Sequence, residues 1–333
     1  MAESLLGIIQ FLRQRSLGLS FLKESVIDPS MPGVAKIIVD GSQYIRSYGT
    51  FPHPNIFAGF LLISIIVSHF YLKQFHVEQN RVRVGNVIVL LVQYVGIVLT
   101  FSKSAIIGLG LALMYVGVVS RGTQSDMQLM GGRFLVRMKN LFHVKHHKWI
   151  ILTAATGVGI IIAGFLLNIN ADALFFQSLR ERDLYQKIAI DVIQKYSILG
   201  ISCGQLVIFM SQQGIYPLLE WQLQPVHNVF LLVWAELGVG GFCIFLLWYL
   251  LVLVSPVRDE KQRRRSRDLF MQVVSRGTDM FARMEVYWRA IVWGMLPVLL
   301  FDHYLWDIQQ GQLMLWLVMG MSVGCILHHK SIY

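Results

Sequence analysis

The chain has 333 residues, of which 55% are hydrophobic and only 14% are charged. Soluble domains carry about 25% charged residues and lack very long apolar runs, so this composition excludes a disordered chain and a soluble enzyme domain and predicts a multi-span helical membrane protein. The formal net charge is +10, and the three cysteines are far apart along the chain. An odd number of widely spaced cysteines excludes a disulfide framework and a cysteine-based zinc site.

Apolar runs predict the helices in chain order. The first run, Leu5–Leu22, is interrupted by Arg13 and Arg15 and predicts an amphipathic or partial helix. About 20 helical residues cross the hydrocarbon core of a bilayer. Seven later runs are candidate spans, and we expect one all-α membrane domain over residues 1–333. They are Ile56–Leu72, Val84–Phe101, Ala105–Val119, Trp149–Leu167, Val229–Val254, Trp288–Phe301 and Gly311–Leu327.

The charges of the connecting segments predict the orientation. Segments 73–83, 120–148 and 255–289, together with the C-terminal tail, hold 19 Lys or Arg residues and 7 acidic ones, whereas the rest of the chain holds 10 and 12. Positively charged loops face the cytoplasm, so these segments are predicted to be cytoplasmic and to lie beside anionic lipid rather than nucleic acid. Residues 1–50 then lie outside without a signal peptide before them. We therefore expect the sequence to be the C-terminal part of a longer protein.

Polar residues collect on the predicted extracytoplasmic side. They include His53 and Asn55 before the first span, and Asp302 and His303 between the last two spans. Lys103 lies in a three-residue turn between two apolar runs, where a lysine is costly unless it reaches water, pairs or meets an anion. Two interpretations follow for Lys103: an anchor that reaches the membrane surface, or a cation that binds a phosphate.

A long loop, residues 168–228, is too long for a passive connection. Its Ser178–Glu181 segment has a capping-box pattern, which predicts a helix that begins there and runs for about 17 residues. Arg180 and Arg182 would then lie in the first turn, where cations oppose the helix dipole and free amides attract anions. We interpret both arginines as phosphate ligands. The alternative is packing of Arg182 with a local ion pair to Glu181 or Asp183.

Three polar residues mark the end of this loop and the start of the fifth span. His227 and Asn228 lie at the mouth of the span, and Glu236 follows inside it. His227 is either an interfacial polar residue or a general base that deprotonates or orients a hydroxyl. A carboxylate inside a membrane needs a partner and is a functional candidate. By contrast, we expect no metal site at the histidines of the basic cytoplasmic loop, which are His143, His146 and His147.

Five stretches, in this order, resemble one family. They are RSYGTFPHPNIFAGFLL at Arg46–Leu62, LTFSKSA at Leu99–Ala105, LRERDLYQKIAIDVIQKYSILGISCG at Leu179–Gly204, VHNVFLLVWAELGVGGF at Val226–Phe242 and FDHYLWDIQQGQLMLWLVMG at Phe301–Gly320. The chain is similar to the O-antigen ligase and polymerase superfamily of bacterial membrane glycosyltransferases. The resemblance implies a multi-pass protein of the inner membrane, with a long periplasmic loop and its active face on the periplasmic side.

The resemblance also implies a reaction and its substrates. Family members move a glycan from undecaprenyl pyrophosphate to a lipid A-core sugar, a growing glycan or a protein hydroxyl, without a metal or another cofactor. By motif, Lys103 replaces an arginine, while Arg182 and His227 match the other catalytic positions. Two departures stand out: lysine lacks the bidentate fork of arginine, and a usual Gly-X-Gly reads Gly200-Ile201-Ser202.

The remaining polar residues on that side complete the predicted substrate site, which uses Arg180, His53, Asn55, Asn228, Glu236, Asp302 and His303. Direct attack of the acceptor on the anomeric carbon would invert it. Two alternatives to an enzyme stay open. A lipid-linked glycan transporter would show polar groups in both halves of the membrane and inverted repeats. A non-catalytic subunit of a polysaccharide assembly complex is the other.

Overall fold

The computed structural model describes residues 1–39, 41–74, 80–122, 172–213, 223–255 and 275–330. Within these ranges the protein is a bundle of α-helices with one small antiparallel hairpin, β1 (Lys36–Val39) and β2 (Ser42–Ile45). The prediction of a helical membrane bundle is confirmed, and the hairpin was not foreseen. The helices are α1 (Ala2–Arg13), α2 (Pro54–Gln74), α3 (Asn80–Leu99), α4 (Lys103–Gly122), α5 (Asp172–Tyr196), α6 (Leu206–Gln213), α7 (Val229–Val254), α8 (Ser275–Phe301), α9 (Tyr304–Asp307) and α10 (Gln309–Lys330).

The described helices confirm most of the predicted spans. In the described part of the chain, four stretches are long and apolar enough to cross a membrane, and two more, Val84–Leu99 and Lys103–Val119, are shorter apolar helices. The predicted span Trp149–Leu167 lies outside the described residues. The protein is therefore a multi-pass membrane protein. The four longer stretches are Pro54–Leu72, Val229–Val254, Met284–Phe301 and Gln309–Leu327.

The start of the sixth predicted span is wrong. Helix α8 begins at Ser275, and its apolar stretch begins at Met284 rather than Trp288. Glu285 and Arg289, which the sequence places in a cytoplasmic loop, are 3% and 1% exposed and lie 3.5 Å apart, one helical turn from each other. A buried charge is tolerated only with a partner, and this pair supplies one. Because the two charges cancel, the excess of positive charge in the loops is unchanged.

Helices α4 and α8 pack with their backbones in contact. A Cβ atom at Gly108 would overlap the carbonyl oxygen of Gly294, and one at Gly294 would lie 2.9 Å from the carbonyl oxygen of Gly108 and 3.1 Å from the Cβ of Ala112. Small residues allow helices in a membrane to approach this closely, and dispersion contacts then hold them together. This contact forms part of a continuous core to which α2, α3, α4, α7, α8 and α10 contribute.

Gly108→Ala is expected to destabilise the bundle by roughly 1–3 kcal/mol, because the new methyl group forces two backbones apart. Gly110→Ala is the matched control, since a Cβ atom there meets nothing within 4 Å. Thermal unfolding of the detergent-solubilised protein measures both. Equal melting temperatures for the two variants would contradict the close packing of α4 on α8.

The N-terminal segment fixes the approach to α2. The sequence predicts an amphipathic or partial helix over Leu5–Leu22, and the structure has α1 followed by a short 3₁₀ helix, Ser20–Leu22. The Gln10 amide donates to Glu24 Oε1 over 2.8 Å and to the Gly49 carbonyl over 2.9 Å, while the Gly49 N–H donates back to Gln10 Oε1. These bonds hold the backbone just before α2 in place.

Helix α7 is broken at Gly238, where φ is 68° and ψ is −175°. The break frees backbone groups that bind the loop after α5: the Ile201 and Ser202 N–H groups donate to the carbonyls of Ala235 and Glu236, and the Val239 N–H donates to the Ser197 carbonyl. Ser202 has φ 83°, a conformation that favours glycine. The serine that replaces the second glycine of Gly-X-Gly is therefore held in a strained backbone conformation. These bonds attach α5 to the membrane bundle.

Candidate functional site

The helix ends that carry the predicted site residues meet at one end of the bundle. The Ser47 N–H, just before α2, donates to the Leu99 carbonyl at the end of α3 over 2.9 Å. The Asn55 amide in the first turn of α2 donates to Asp302 Oδ2, beyond the end of α8, over 2.6 Å. The rings of His227 and His303 lie 4.9 Å apart. Residues far apart in sequence thus form one polar region.

Arg46 lies at the centre of this region. Its Nε donates to the Thr100 carbonyl and its Nη2 to Asn55 Oδ1, each over 2.6 Å. Burial lowers the pKa of Arg46 to about 10, and the negative charge of Asp302 opposes that shift. The guanidinium therefore stays charged near neutral pH, and the chain Arg46–Asn55–Asp302 joins three segments.

Three cations converge here. Arg182 lies close enough to both Arg46 and Lys103 for their positive charges to act on one another, and Arg46 acts on Lys103 as well. Lys103 is the first residue of α4 and its side chain is exposed, while Arg182 is half-buried on α5. Gathering like charges costs free energy that a bound anion would offset. We call Arg46, Lys103 and Arg182 the cation cluster.

The predicted start of the loop helix is wrong. Helix α5 begins at Asp172, so Ser178–Glu181 lies inside it, and Arg180 and Arg182 are not at a helix N-terminus. The argument from free backbone amides therefore fails for both arginines. Arg180 is exposed. Asp183 pairs with Lys187 at 2.6 Å, so that carboxylate has a partner other than Arg182.

His227 is enclosed by aromatic rings. It stacks on Tyr185 of α5 with ring centroids 5.8 Å apart, and His303 meets it edge to face. Its Nδ1 is buried and has no hydrogen-bond partner among the residues that the structure describes. Burial, with the positive charges of His303 and Arg182, lowers the pKa of His227 to about 2. The imidazole is therefore neutral, as a base must be, but it binds a proton weakly.

His303 has the opposite character. Its Nδ1 lies 2.8 Å and 3.0 Å from the two carboxylate oxygens of Asp307, one turn further along α9. Burial opposes a charge on the ring, but the hydrogen bond and negative charge of Asp307, together with the charge of Asp302, raise the pKa of His303 above its usual range. Of the two adjacent imidazoles, His303 therefore binds a proton more strongly than His227 does.

His53 and Asp302 complete this polar region. Burial and the charge of Arg46 lower the pKa of His53 to about 3. The His53 Nδ1 accepts the Asn55 N–H over 3.2 Å, so the ring also orders the start of α2. Burial raises the pKa of Asp302, and the charge of His303 and hydrogen bonds from its N–H and from Asn55 oppose that rise.

Two further candidates make bonds within the protein. The Asn228 side chain caps α7 by accepting the Leu231 N–H over 3.0 Å, and this fixes His227 at the helix entrance. The Glu236 carboxylate accepts the Trp306 indole N–H over 2.9 Å and the Leu206 N–H over 3.4 Å. Glu236 thereby joins α6, α7 and α9. Its role in substrate binding stays a prediction.

Comparison with known proteins adds the family. Residues 86–246 match the family model described as O-antigen ligase. This match, over slightly less than half of the chain, supports the predicted resemblance to the O-antigen ligase-like superfamily. No curated protein and no solved structure matches the chain. The matched region contains Lys103, Arg182 and His227, while Arg46 and the His303–Asp307 pair lie outside it.

The sequence missed two members of this site. Arg46 opens one of the stretches that resemble the O-antigen ligases, but its bonds to Thr100 and Asn55 depend on the fold. Asp307 lies four residues after His303, a spacing that brings two side chains together on a helix. That spacing was the available signal for the pair.

Proposed function

We propose that the protein transfers a glycan from undecaprenyl pyrophosphate to an acceptor hydroxyl at the periplasmic surface of a bacterial inner membrane. Members of the O-antigen ligase superfamily are ligases and polymerases of the glycosyltransferase type. The observation that carries the proposal is the cation cluster beside two histidines of different character. The acceptor is a lipid A-core sugar, a growing glycan or a protein.

The cation cluster supports binding of the donor. A lipid-linked pyrophosphate carries its negative charges at the membrane surface, and Lys103 begins a membrane helix at that level. Charged hydrogen bonds to phosphate oxygens are about twice as strong as neutral ones. They also stabilise the charge that develops on the leaving pyrophosphate, which is where preorganised donors accelerate a reaction most.

The proposed reaction is a single displacement at the anomeric carbon of the glycan. The acceptor oxygen attacks the anomeric carbon, the bond from that carbon to the pyrophosphate oxygen breaks, and its electron pair stays on the pyrophosphate. The hydroxyl proton passes to a base. Attack from the face opposite the leaving group inverts the anomeric carbon. The protein's own cations and imidazoles supply these roles.

The proposed orientation can be tested with a native cysteine. Cys203 is exposed in the loop after α5, in the part of the chain proposed to be periplasmic. With Cys243 and Cys325 replaced by serine, we expect Cys203 to react with a membrane-impermeant maleimide in intact cells. A cysteine introduced at Arg264 should react only after the cells are opened. The reverse pattern would contradict the orientation.

A transfer assay tests the function itself. Purified protein in nanodiscs is given a radiolabelled glycan on undecaprenyl pyrophosphate, with and without a sugar acceptor. We expect acceptor-dependent formation of a glycosylated product and release of undecaprenyl pyrophosphate. Movement of intact donor between leaflets of proteoliposomes without cleavage would instead support a transporter. If the donor is neither cleaved nor moved between leaflets, the result would indicate a non-catalytic subunit.

A further inference from the structure

We propose that the turn between α5 and α6 inserts its tip, Ile198 and Leu199, into the hydrocarbon of the membrane leaflet on the side of the cation cluster. The partner of this surface is the acyl chains of lipid, rather than water or a second protein. The proposal concerns how the long loop is held against the membrane, and it does not depend on the transfer reaction.

Helix α5 lies antiparallel along the first part of α7. Tyr185 of α5 stacks on His227, just before α7 begins. At the other end of α5, the Ser197 carbonyl accepts the Val239 N–H over 2.8 Å. The tip follows Ser197 directly, so it lies at the level of the break in α7.

This level lies inside the membrane. From Val239 to Val254, where α7 ends, the helix rises about 23 Å at roughly 1.5 Å per residue, whereas the hydrocarbon core is about 30 Å thick. If Val239 lay at the surface of the core, the core would have to reach past Val254 as far as Arg258 and Asp259, and charged side chains are costly there. The tip is therefore below the surface of the hydrocarbon, near its edge.

The backbone of the turn suits this depth. Non-helical backbone is tolerated in a membrane only where its polar groups are bonded within the protein or line a water-filled cavity. The Gly200 N–H donates to the Tyr196 carbonyl over 2.8 Å, and the N–H groups of Ile201 and Ser202 donate to carbonyls at the break in α7. The fit is close, since a Cβ atom at Gly200 would lie 2.3 Å from the Glu236 carbonyl oxygen. These three N–H groups therefore need no water.

The side chains at the tip are not covered by the described protein. Ile198 is 74% exposed, and Leu199 is 85% exposed, more than any other large apolar side chain in the described part of the chain. Val239, which adjoins the turn, is also exposed, and the exposed Ile244 and Leu247 follow further along α7. Such an apolar surface is unfavourable in water but not in lipid. The tip thus continues the surface that α7 presents to lipid.

The insertion is limited to the tip. Lys195, one turn before the tip, is exposed, and a lysine at this height can extend its long side chain to the headgroups. After the tip, the Ile201 N–H donates to the carbonyl of Ala235, one turn nearer the start of α7, so the chain returns toward the polar region. Cys203 lies beyond this return, in agreement with its expected reaction with a water-soluble reagent. The end of α5 is thereby held in the leaflet, while Arg182 stays at the cation cluster.

Nitroxide accessibility in nanodiscs tests the insertion. Cys203 and Cys243 are replaced by serine, the buried Cys325 stays, and a nitroxide is attached at Leu199→Cys or at Lys187→Cys. Lys187 is the matched control, since it lies about 18 Å earlier along the same chain direction and its side chain is 69% exposed. Collisions with oxygen, which concentrates in hydrocarbon, are compared with collisions with a water-soluble nickel chelate. We expect the label at Leu199 to favour oxygen and the label at Lys187 to favour nickel.

Two outcomes would overturn the proposal. Frequent collisions of the Leu199 label with the nickel chelate, as at Lys187, would place the tip in water. Rare collisions with both reagents would show that protein, from this chain or from a second copy, covers the tip. If Leu199→Cys does not fold, the same comparison is made at Ile198→Cys. Absence of glycan transfer by the wild-type protein would refute the proposed function and would leave the insertion unaffected.

Discussion

Arg182→Ala is expected to reduce glycan transfer by at least about 10²–10³-fold, the cost of removing one charge-stabilising donor from a transition state. The loss should come from the donor side, because Arg182 lies among the other two cations and is half-buried on α5. The folded protein should keep its stability, since the variant also relieves repulsion within the cation cluster.

Lys187→Ala is the matched control for Arg182→Ala. It removes one positive charge from the same helix, at a side chain that is 69% exposed and paired with Asp183. Exposed pairs of this kind contribute about 0–1 kcal/mol to stability. Transfer by Lys187→Ala should stay near the wild-type rate. Equal losses in the two variants, or normal transfer by Arg182→Ala, would contradict the phosphate-binding role.

Lys103→Ala is expected to reduce transfer by about 10²-fold or more for the same reason. Lys103→Arg should retain most of the activity, because it restores the residue that the resembled family usually has and adds a second donor for phosphate. The exposed position of Lys103 at the start of α4 leaves room for the larger side chain. The measurement is the initial rate of transfer at saturating acceptor over a range of donor concentrations.

The two substitutions at Lys103 also separate its two interpretations. A lysine that only anchors the helix at the membrane surface would be replaced equally well by alanine in a transfer assay of the folded protein. Full activity of Lys103→Ala would therefore support an anchor and exclude a phosphate ligand. Loss of activity in both Lys103→Ala and Lys103→Arg would mean that charge alone does not explain this position.

The spans were predictable because each is a continuous apolar run. A single apolar segment that crosses a membrane forms a helix, because a helix satisfies the hydrogen bonds of its own backbone. The grouping of polar residues at one end of the bundle was predictable as well, since His53, Lys103, His227 and His303 all lie at the ends of such runs. The structure places these four at one end of the bundle. Their grouping follows directly from the alternation of helix direction.

Other features depend on tertiary contacts that the local sequence pattern does not indicate. A capping-box pattern such as Ser178–Glu181 also occurs inside helices, and here the helix that begins at Asp172 runs through it. The sequence places Glu285 and Arg289 in a charged loop, whereas both side chains are buried in the structure. The hydrogen bonds of Arg46 to Thr100 and Asn55 hold its guanidinium in the cation cluster. In each case, a tertiary contact decides between two readings of the same residues.

The histidines illustrate the same limit for chemistry. Position in the sequence favours His227 as the base because it lies at the mouth of a span. The environments of the two rings differ: His227 is surrounded by aromatic groups and positive charge, while His303 has a carboxylate partner. Because burial and neighbouring charges set the pKa of a histidine, this difference between the two rings depends on the folded arrangement.

Direct measurement of donor binding tests the central claim that the cation cluster binds a pyrophosphate. The affinity of the nanodisc-embedded protein for undecaprenyl pyrophosphate is compared with that for undecaprenyl phosphate, for wild type, Arg182→Ala and Lys187→Ala. We expect wild type and Lys187→Ala to prefer the pyrophosphate by about tenfold or more, since one additional charged hydrogen bond contributes roughly 1.5–3 kcal/mol. Arg182→Ala should lose most of that preference. Equal affinity of the wild-type protein for the two lipids, or an unchanged preference in Arg182→Ala, would contradict the claim.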